Sequence, residues 1–220
     1  MNETTEQKPE KFQLAKFASR AEQRKSLRKG KLAFKINGKV VAIGLTNGPT
    51  PIDHRSLVAV LHDSAGNYLI LRRDQYDTLT VHLPMQKKGD REKQIGTFNL
   101  RFIDRWLDPE FRRRGIATHA LKCIEKLHAA YYGGGPNVFG TVKRSTALFL
   151  AKRAHYVEEE SGLTLAQIRR SGEELPRMVY FKPKPTKPAF TKQDLEQNHV
   201  LVVAGHSGKR EWYVLPRREK

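Results

Sequence analysis

The chain has 220 residues, of which 38% are hydrophobic and 29% charged, and its 41 Lys and Arg against 23 Asp and Glu give a formal net charge of +18. A single cysteine, Cys123, excludes an internal disulfide framework and a zinc site built on cysteines. The longest apolar runs fall far below the roughly 18 residues of a membrane span, and no apolar run follows Met1 as in a secretory signal. We therefore expect a cytoplasmic protein with no membrane attachment.

The first thirty residues are polar and basic. Leu14, Phe17 and Ala18 have helical spacing, which favours a short helix that docks onto the body of the protein. A mobile basic arm fits the same composition equally well. The segment 1–30 is therefore predicted to be either a docking helix or a basic arm.

Residues 31–107 are typical of strands. Asn37-Gly38 predicts a tight hairpin, and a second hairpin is predicted around Ser64-Ala65-Gly66-Asn67. The stretch from Asp77 to Arg91 is interpreted as loop-rich because it contains Pro84 and Gly89. From Ile95 to Leu107 polar and apolar residues alternate, which predicts one long strand that ends before Pro109.

A helix is predicted from Arg114 to about Ala130, where the residues at helical spacing form one apolar stripe. A strand, a short helix, another strand, a second short helix and a final strand then follow up to residue 181. Prolines 183, 185 and 188 indicate a stiff linker before a hairpin around His206-Ser207-Gly208. The predicted domain is therefore 31–182, with 183–220 a linker and a C-terminal hairpin. The helical stripe comprises Ile116, Ala120, Cys123, Ile124 and Leu127.

The segment LDPEFRRRGIA, from Leu107 to Ala117, indicates a phosphate-binding turn. A strand ends at a proline, a basic loop with a glycine follows, and an amphipathic helix begins at once. Backbone N–H groups at a helix N-terminus attract anions, and Gly115 has no side chain to block their approach. The segment lacks the Lys-Ser/Thr of a Walker loop and the three glycines of a dinucleotide fingerprint.

This segment resembles motif A of the GNAT (Gcn5-related N-acetyltransferase) superfamily, since Arg112-x-x-Gly115-x-Ala117 matches the motif Arg/Gln-x-x-Gly-x-Gly/Ala. The run ALFLAKRAHY also resembles motif B of that family, through Ala147, Leu150, Arg153 and Tyr156. The resemblance covers residues 97–158.

The resemblance implies an α/β (α+β) fold, with a mixed, mostly antiparallel sheet, helices on both faces and a splayed V between central strands. It implies acetyl-CoA or another acyl-CoA as cofactor, with its pyrophosphate on the loop amides and its pantetheine arm along the end of the preceding strand. The implied cofactor-binding residues are Trp106, Leu107, Arg112, Arg113, Arg114, Gly115, Ile116, Ala117 and Thr118.

The catalytic residues are less clearly indicated than the cofactor loop. The tyrosine that often protonates the leaving thiolate in the family falls on Ala151, and the motif B asparagine falls on Arg144. The resemblance implies a carboxylate base on the strand before the loop, which points to Asp104, although an exposed ion pair explains that residue as well. The candidate acids are Tyr156, His155 and Ser145, and catalysis by positioning alone needs neither acid nor base.

The functional expectation is an acyl-CoA-dependent N-acyltransferase in which an amine attacks the thioester directly. A charge of +18 disfavours a polycationic acceptor and favours a polyanionic one, so an amine on DNA or RNA, such as a nucleobase or an aminoacyl-tRNA, is a candidate. The alternative is a non-catalytic protein that keeps the fold to inhibit or bind a partner, or a basic nucleic-acid-binding module. No metal site is expected.

Overall fold

The computed structural model describes residues 10–45, 56–73, 78–85, 91–99, 105–132, 139–154, 156–158, 161–182, 198–206 and 209–216. For 99, 105, 126–132, 139, 153–154, 157, 182, 198–206 and 209–216 it describes the backbone alone.

The main sheet has eight strands and is antiparallel except at one ladder. Its order is β14-β13-β5-β6-β7-β8-β9, with β1 also paired to β5. The exception is β13, which runs parallel to β5 and pairs Val203 with Ala59. The strands are β1 (Gln13–Leu14), β5 (Ser56–His62), β6 (Tyr68–Arg73), β7 (Thr78–Leu83), β8 (Lys93–Asn99), β9 (Arg105–Leu107), β13 (Asn198–His206) and β14 (Lys209–Pro216).

Two three-stranded antiparallel sheets and four helices complete the described structure. The second sheet has the order β2-β3-β4 and the third β10-β12-β11. The second contains β2 (Lys16–Phe17), β3 (Lys31–Ile36) and β4 (Lys39–Gly44), and the third β10 (Phe139–Lys143), β11 (Val157–Glu158) and β12 (Glu174–Lys182). The helices are α1 (Arg20–Leu27), α2 (Ile116–Tyr132), α3 (Arg144–Phe149) and α4 (Leu165–Arg170), with a 3-10 turn at Pro109–Phe111 and a π turn at Leu150–Ala154. The fold is thus mixed α+β with mostly antiparallel sheets.

Apolar cores lie on both faces of the main sheet. On one face the stripe of α2 packs with residues of β5 to β8, and side chains of α3, α4 and β12 join this core. On the other face the second sheet packs against the main sheet through Leu32, Phe34, Ile36 and Ile43. On this second face a sheet supplies most of the apolar cover, with Leu27 of α1 packed against the same core, so the expectation of helices on both faces is only partly met.

The predicted strand from Ile95 to Leu107 is two antiparallel strands. Gly96 lies opposite Leu107 and Phe98 opposite Arg105, so the chain reverses between β8 and β9. A Cβ atom at Gly96 would lie 2.8 Å from Leu107 Cδ1 and 3.0 Å from the Trp106 carbonyl oxygen. The absence of a side chain at residue 96 thus lets β9 approach β8 closely.

Two other predictions are corrected by the structure. The stretch from Asp77 to Arg91, predicted to be loop-rich, contains the buried strand β7. The helix predicted from the spacing of Leu14 and Phe17 is absent, because these residues lie in β1 and β2 and α1 begins only at Arg20. The segment with Leu14 and Phe17 packs against the sheets, and that tertiary contact overrides its helical spacing, whereas Thr78 to Leu83 alternate polar and apolar residues as a strand does.

Several predictions are confirmed. Asn37 and Gly38 have φ of 46° and 77°, as a tight hairpin between β3 and β4 requires, and β13 and β14 form the C-terminal hairpin. Ile116, Ala120, Cys123 and Ile124 are all buried, while the side chain of Leu127 lies outside the described residues. Within the described part of the chain, no helix is long and apolar enough to cross a membrane.

Candidate functional site

The turn before α2 has an irregular backbone. After the 3-10 turn, Arg112 is extended, with φ −69° and ψ 157°, while Arg113 and Gly115 are left-handed, with φ of 62° and 83°. A left-handed φ is strained for arginine and unstrained for glycine. The Gly115 carbonyl then accepts bonds from the amides of Thr118, at 3.1 Å, and His119, at 3.3 Å, and so starts the helix.

A run of unoccupied backbone donors follows from this geometry. Among the described residues, none accepts a hydrogen bond from the backbone N–H groups of residues 113 to 117. Gly115 has no side chain that could cap the helix, and the dipole of the 17-residue α2 adds partial positive charge at this end. The turn can therefore accept an anion with several oxygen atoms.

Arg114 is held by the protein itself. Its Nη2 donates to Asp63 Oδ2 at 2.9 Å and its Nε donates to the Glu10 carbonyl at 3.0 Å. Its Cζ also lies 4.4 Å from the centre of the Phe12 ring. Because Asp63 is fully buried, this ion pair anchors the turn to the end of β5. Arg114 thus serves to position the turn.

The N-terminal segment packs against the same turn. The Phe12 amide donates to the Arg114 carbonyl at 2.9 Å, and His119 Nε2 lies 3.1 Å from the Phe12 carbonyl oxygen. A Cβ at Gly115 would lie 3.7 Å from that oxygen, an ordinary van der Waals contact. Arg112 and Arg113 remain exposed, so the turn keeps two cations beside amides that have no acceptor among the described residues.

The strand before the turn offers one backbone donor at its outer edge. The Asp108 amide donates to the Ile95 carbonyl at 2.9 Å, so the Leu107 amide points away from β8. The Leu107 carbonyl accepts from Arg112 Nε at 2.9 Å. Trp106 is paired with Thr97 and leaves its side chain 46% exposed.

The first residues of α2 contribute to the candidate site through their backbone more than through their side chains. Ile116 is buried in the core and Ala117 packs partly against it. Thr118 is half-buried. These residues hold the N-terminus of the helix against the main sheet.

Tyr156 is buried and hydrogen-bonded to α2. Its hydroxyl donates to Glu125 Oε1 at 2.6 Å. Burial, then the charge of Glu125 and this hydrogen bond, raise the pKa of Tyr156 well above its usual range. A phenol with a raised pKa is a poor proton donor to a thiolate, whose conjugate thiol has a pKa of about 8.5. Glu125 lies nine residues beyond Ile116, or about 13 Å along the helix.

Ser145 is exposed at the first turn of α3. It lines an open cleft of about 410 Å³ together with Lys143, Arg144, Glu173 and Glu174. Arg144 Nη1 donates to the Ser171 carbonyl at 2.6 Å, which fixes one wall of the cleft. The lining includes neither Tyr156 nor Gly115, so these candidates do not share one pocket. Asp104 and His155 lie outside the described residues.

Sequence reasoning missed Asp63, Glu125 and Phe12. Asp63 and Phe12 meet Arg114 across 51 and 102 residues of chain, and no local pattern marks such a contact. Glu125 directly follows Ile124 of the apolar stripe, so the sequence does indicate a carboxylate beside the buried face of α2. The described residues contain no group of three His, Cys, Asp or Glu that could hold a metal ion.

The chain matches no protein-family model, no curated protein and no solved structure.

Proposed function

We propose that the chain binds an acyl-CoA, with acetyl-CoA the expected form, and transfers the acyl group to an amine. The observation that carries the proposal is the run of backbone N–H groups at residues 113 to 117, which have no acceptor among the described residues. Arg112 and Arg113 are exposed beside them. A diphosphate has enough oxygen atoms and charge to use both sets of donors.

The residues of this turn have different roles in the proposed binding. Gly115 and Arg113 give the backbone its left-handed bends, and Arg114 fixes the turn to Asp63 instead of facing the ligand. The Leu107 amide, at the outer edge of β9, is a candidate partner for an amide of the pantetheine arm. When bound, the coenzyme supplies the activated thioester, and the chain orients it beside the amine.

The order of the strands also supports the proposal. β9 is the last strand of the main sheet and β10 is an outer strand of the third sheet, and no ladder joins them in the described residues. A splayed gap between β9 and β10 is therefore part of the proposal, and so is membership of the GNAT superfamily. The high positive charge of the chain supports an acceptor amine carried by a nucleic acid.

Titration calorimetry with acetyl-CoA tests the proposal most directly. We expect saturable binding to the native protein and its loss in Gly115→Val, because a β-branched residue is strained at φ 83° and reshapes the turn. Gly162→Val is the matched control, since Gly162 also has a positive φ, 66°, and open space around it. Both variants should lose similar stability, and the control should still bind.

The absence of binding heat at millimolar acetyl-CoA would overturn the proposal. Equal loss of binding in both glycine variants would assign the effect to general destabilisation. Release of free CoA thiol with an amine acceptor separates an enzyme from a non-catalytic binder.

A further inference from the structure

The second sheet and α1 carry a large share of the positive charge. We define the basic module as residues 16–44, which include β2, α1, β3 and β4. It contains nine Lys and Arg and one Glu, a formal charge of +8 in 29 residues. All nine cationic residues are exposed, namely Lys16, Arg20, Arg24, Lys25, Arg28, Lys29, Lys31, Lys35 and Lys39.

The single acidic residue of the module is engaged in the cap of α1. Glu22 Oε2 accepts from the Ser19 amide at 2.8 Å and from Ser19 Oγ at 2.7 Å. These hydrogen bonds lower the pKa of Glu22. Arg28 has a further interaction, and among the described residues the other eight cations form no salt bridge, although the charge of Lys35 also lowers the pKa of Glu22. The described residues thus compensate little of the module's positive charge.

Seven of the nine cations lie on α1 or on strands, and Arg28 and Lys29 lie in the turn after the helix. Lys16 and Lys35 are directly opposite each other in the ladder between β2 and β3, where like charges destabilise a sheet. Arg20 and Arg24 lie one helical turn apart on α1, about 6 Å along its axis. Gln23 ties α1 to β3, since its side chain bonds both the amide and the carbonyl of Ala33. A folded surface on which like charges lie opposite each other, as Lys16 and Lys35 do, is suited to bind an extended polyanion.

The apolar residues of the module decide which polyanion fits. Phe34 is buried against the main sheet, with its ring 5.4 Å from that of Phe17. Within residues 16–44, Val40 alone is a large apolar residue that stays exposed, with 45% of its surface accessible. A membrane-surface helix needs an apolar face with aromatic or leucine side chains, and single-stranded nucleic acid needs exposed aromatic platforms. The module offers neither, whereas the backbone of a duplex requires only positioned cations.

We propose that the basic module binds the sugar–phosphate backbone of double-stranded nucleic acid without reading its base sequence. This inference does not depend on acyl-CoA binding at the turn before α2. The contacts are charge-assisted hydrogen bonds from the exposed arginines and lysines to phosphate oxygens.

Fluorescence anisotropy with a labelled DNA duplex, over a range of salt concentrations, tests the proposal. We expect the triple variant Arg20→Gln/Arg24→Gln/Lys25→Gln to lose at least tenfold in affinity. Its slope of log affinity against log salt should fall by about 0.9 for each phosphate contact removed. The control Arg169→Gln/Arg170→Gln/Arg177→Gln removes the same charge from exposed positions on α4 and β12 and should change affinity less than twofold.

A second variant separates binding from folding. Lys16→Gln removes the repulsion with Lys35, so we expect an equal or higher Tm together with weaker binding to the duplex. A purely structural role for Lys16 would lower both.

The competing ligands are tested on the same protein. Equal loss of affinity in both triple variants, or no binding at low salt, would overturn the proposal. Tighter binding to a single strand, or to phosphatidylserine vesicles, would also overturn it. A duplex of RNA in place of DNA shows which nucleic acid is preferred.

Discussion

At the scale of single residues, Tyr156 has surroundings that suit a structural role better than an acid role. Its hydroxyl is directed at a carboxylate 2.6 Å away and is buried between α2 and the π turn, where its amide donates to the Leu150 carbonyl. Proton donation during turnover would have to break the hydrogen bond to Glu125. We infer that this bond holds the segment after α3 against the long helix.

Tyr156→Phe should therefore reduce stability more than turnover. Loss of a hydrogen bond to a charged group costs about 1.5 to 3 kcal/mol, measurable by urea unfolding, while any acyl transfer should stay within a few-fold of the native rate. A loss of turnover of a hundredfold or more, with the fold intact, would restore Tyr156 as an acid.

The pH dependence of stability gives a second readout at this position. Burial raises the pKa of both Tyr156 and Tyr68, so the folded protein binds their protons more tightly than the unfolded chain does. This contribution to stability is complete below the unfolded tyrosine pKa of about 10 and is lost as the pH rises above it. The decline in Tm above pH 10 should be shallower in Tyr156→Phe, and an unchanged slope would contradict the assignment.

At the scale of elements, two capping boxes form a natural pair for comparison. Ser19 and Glu22 cap α1, and Thr164 and Gln167 cap α4 with the same reciprocal bonds. Glu22 is ionisable and Gln167 is not, so only the cap of α1 should depend on pH.

We expect Ser19→Ala and Thr164→Ala each to lower the Tm at pH 7. The pKa of Glu22 is lowered in the folded protein, so its contribution is present above the unfolded value of 4.5 and is lost as the pH falls below it. The effect of Ser19→Ala should therefore shrink at acid pH, while that of Thr164→Ala should not. Parallel pH profiles of the two variants would show that the Glu22 carboxylate adds nothing to its cap.

The elements were predicted well where their signals are local. Asn37-Gly38 marks its turn chemically, and the stripe from Ile116 to Ile124 marks the buried face of α2. The reversal between β8 and β9 was missed because both arms of a hairpin alternate with the same period of two, so a continuous pattern does not reveal where the direction changes. Strand β7 lies directly before Pro84, and the loop signals of Pro84 and Gly89 mask the alternation of polar and apolar residues from Thr78 to Leu83.

The candidate site, too, was predictable only where its residues lie close together in the sequence. The glycine turn and its helix lie within ten residues of one another and were predicted from spacing. The true partner of Arg114 was not, because Asp63 comes to it only through the folding of the main sheet. An arginine in a basic loop thus appeared to face a ligand, whereas in the fold it faces the protein.

At the scale of the whole molecule, the ion pair of Arg114 and Asp63 links three distant parts of the chain. It joins the turn before α2, the end of β5 and, through Glu10 and Phe12, the N-terminal segment. Asp63 also accepts from the Asn67 amide, so Asp63→Asn keeps the hairpin bond while it removes the charge.

Asp63→Asn should lower the free energy of unfolding by about 2 to 4 kcal/mol, because it leaves a largely buried cation without its partner. We also expect faster hydrogen exchange at the Phe12 amide, which donates to the Arg114 carbonyl. Unchanged protection at Phe12 would show that the N-terminal segment is held independently of the ion pair.

The pairing of β13 with β5 has a consequence for biosynthesis. Ala59 is made about 140 residues before Val203, which lies opposite it in the finished sheet. On a ribosome that releases the chain from its N-terminus, the position beside Ala59 stays without this neighbour until β13 has emerged, although β1 is already available to pair with Leu61 and His62. The part of this edge that β1 does not cover invites pairing with other nascent chains until then, so we expect β13 to close off a route to aggregation.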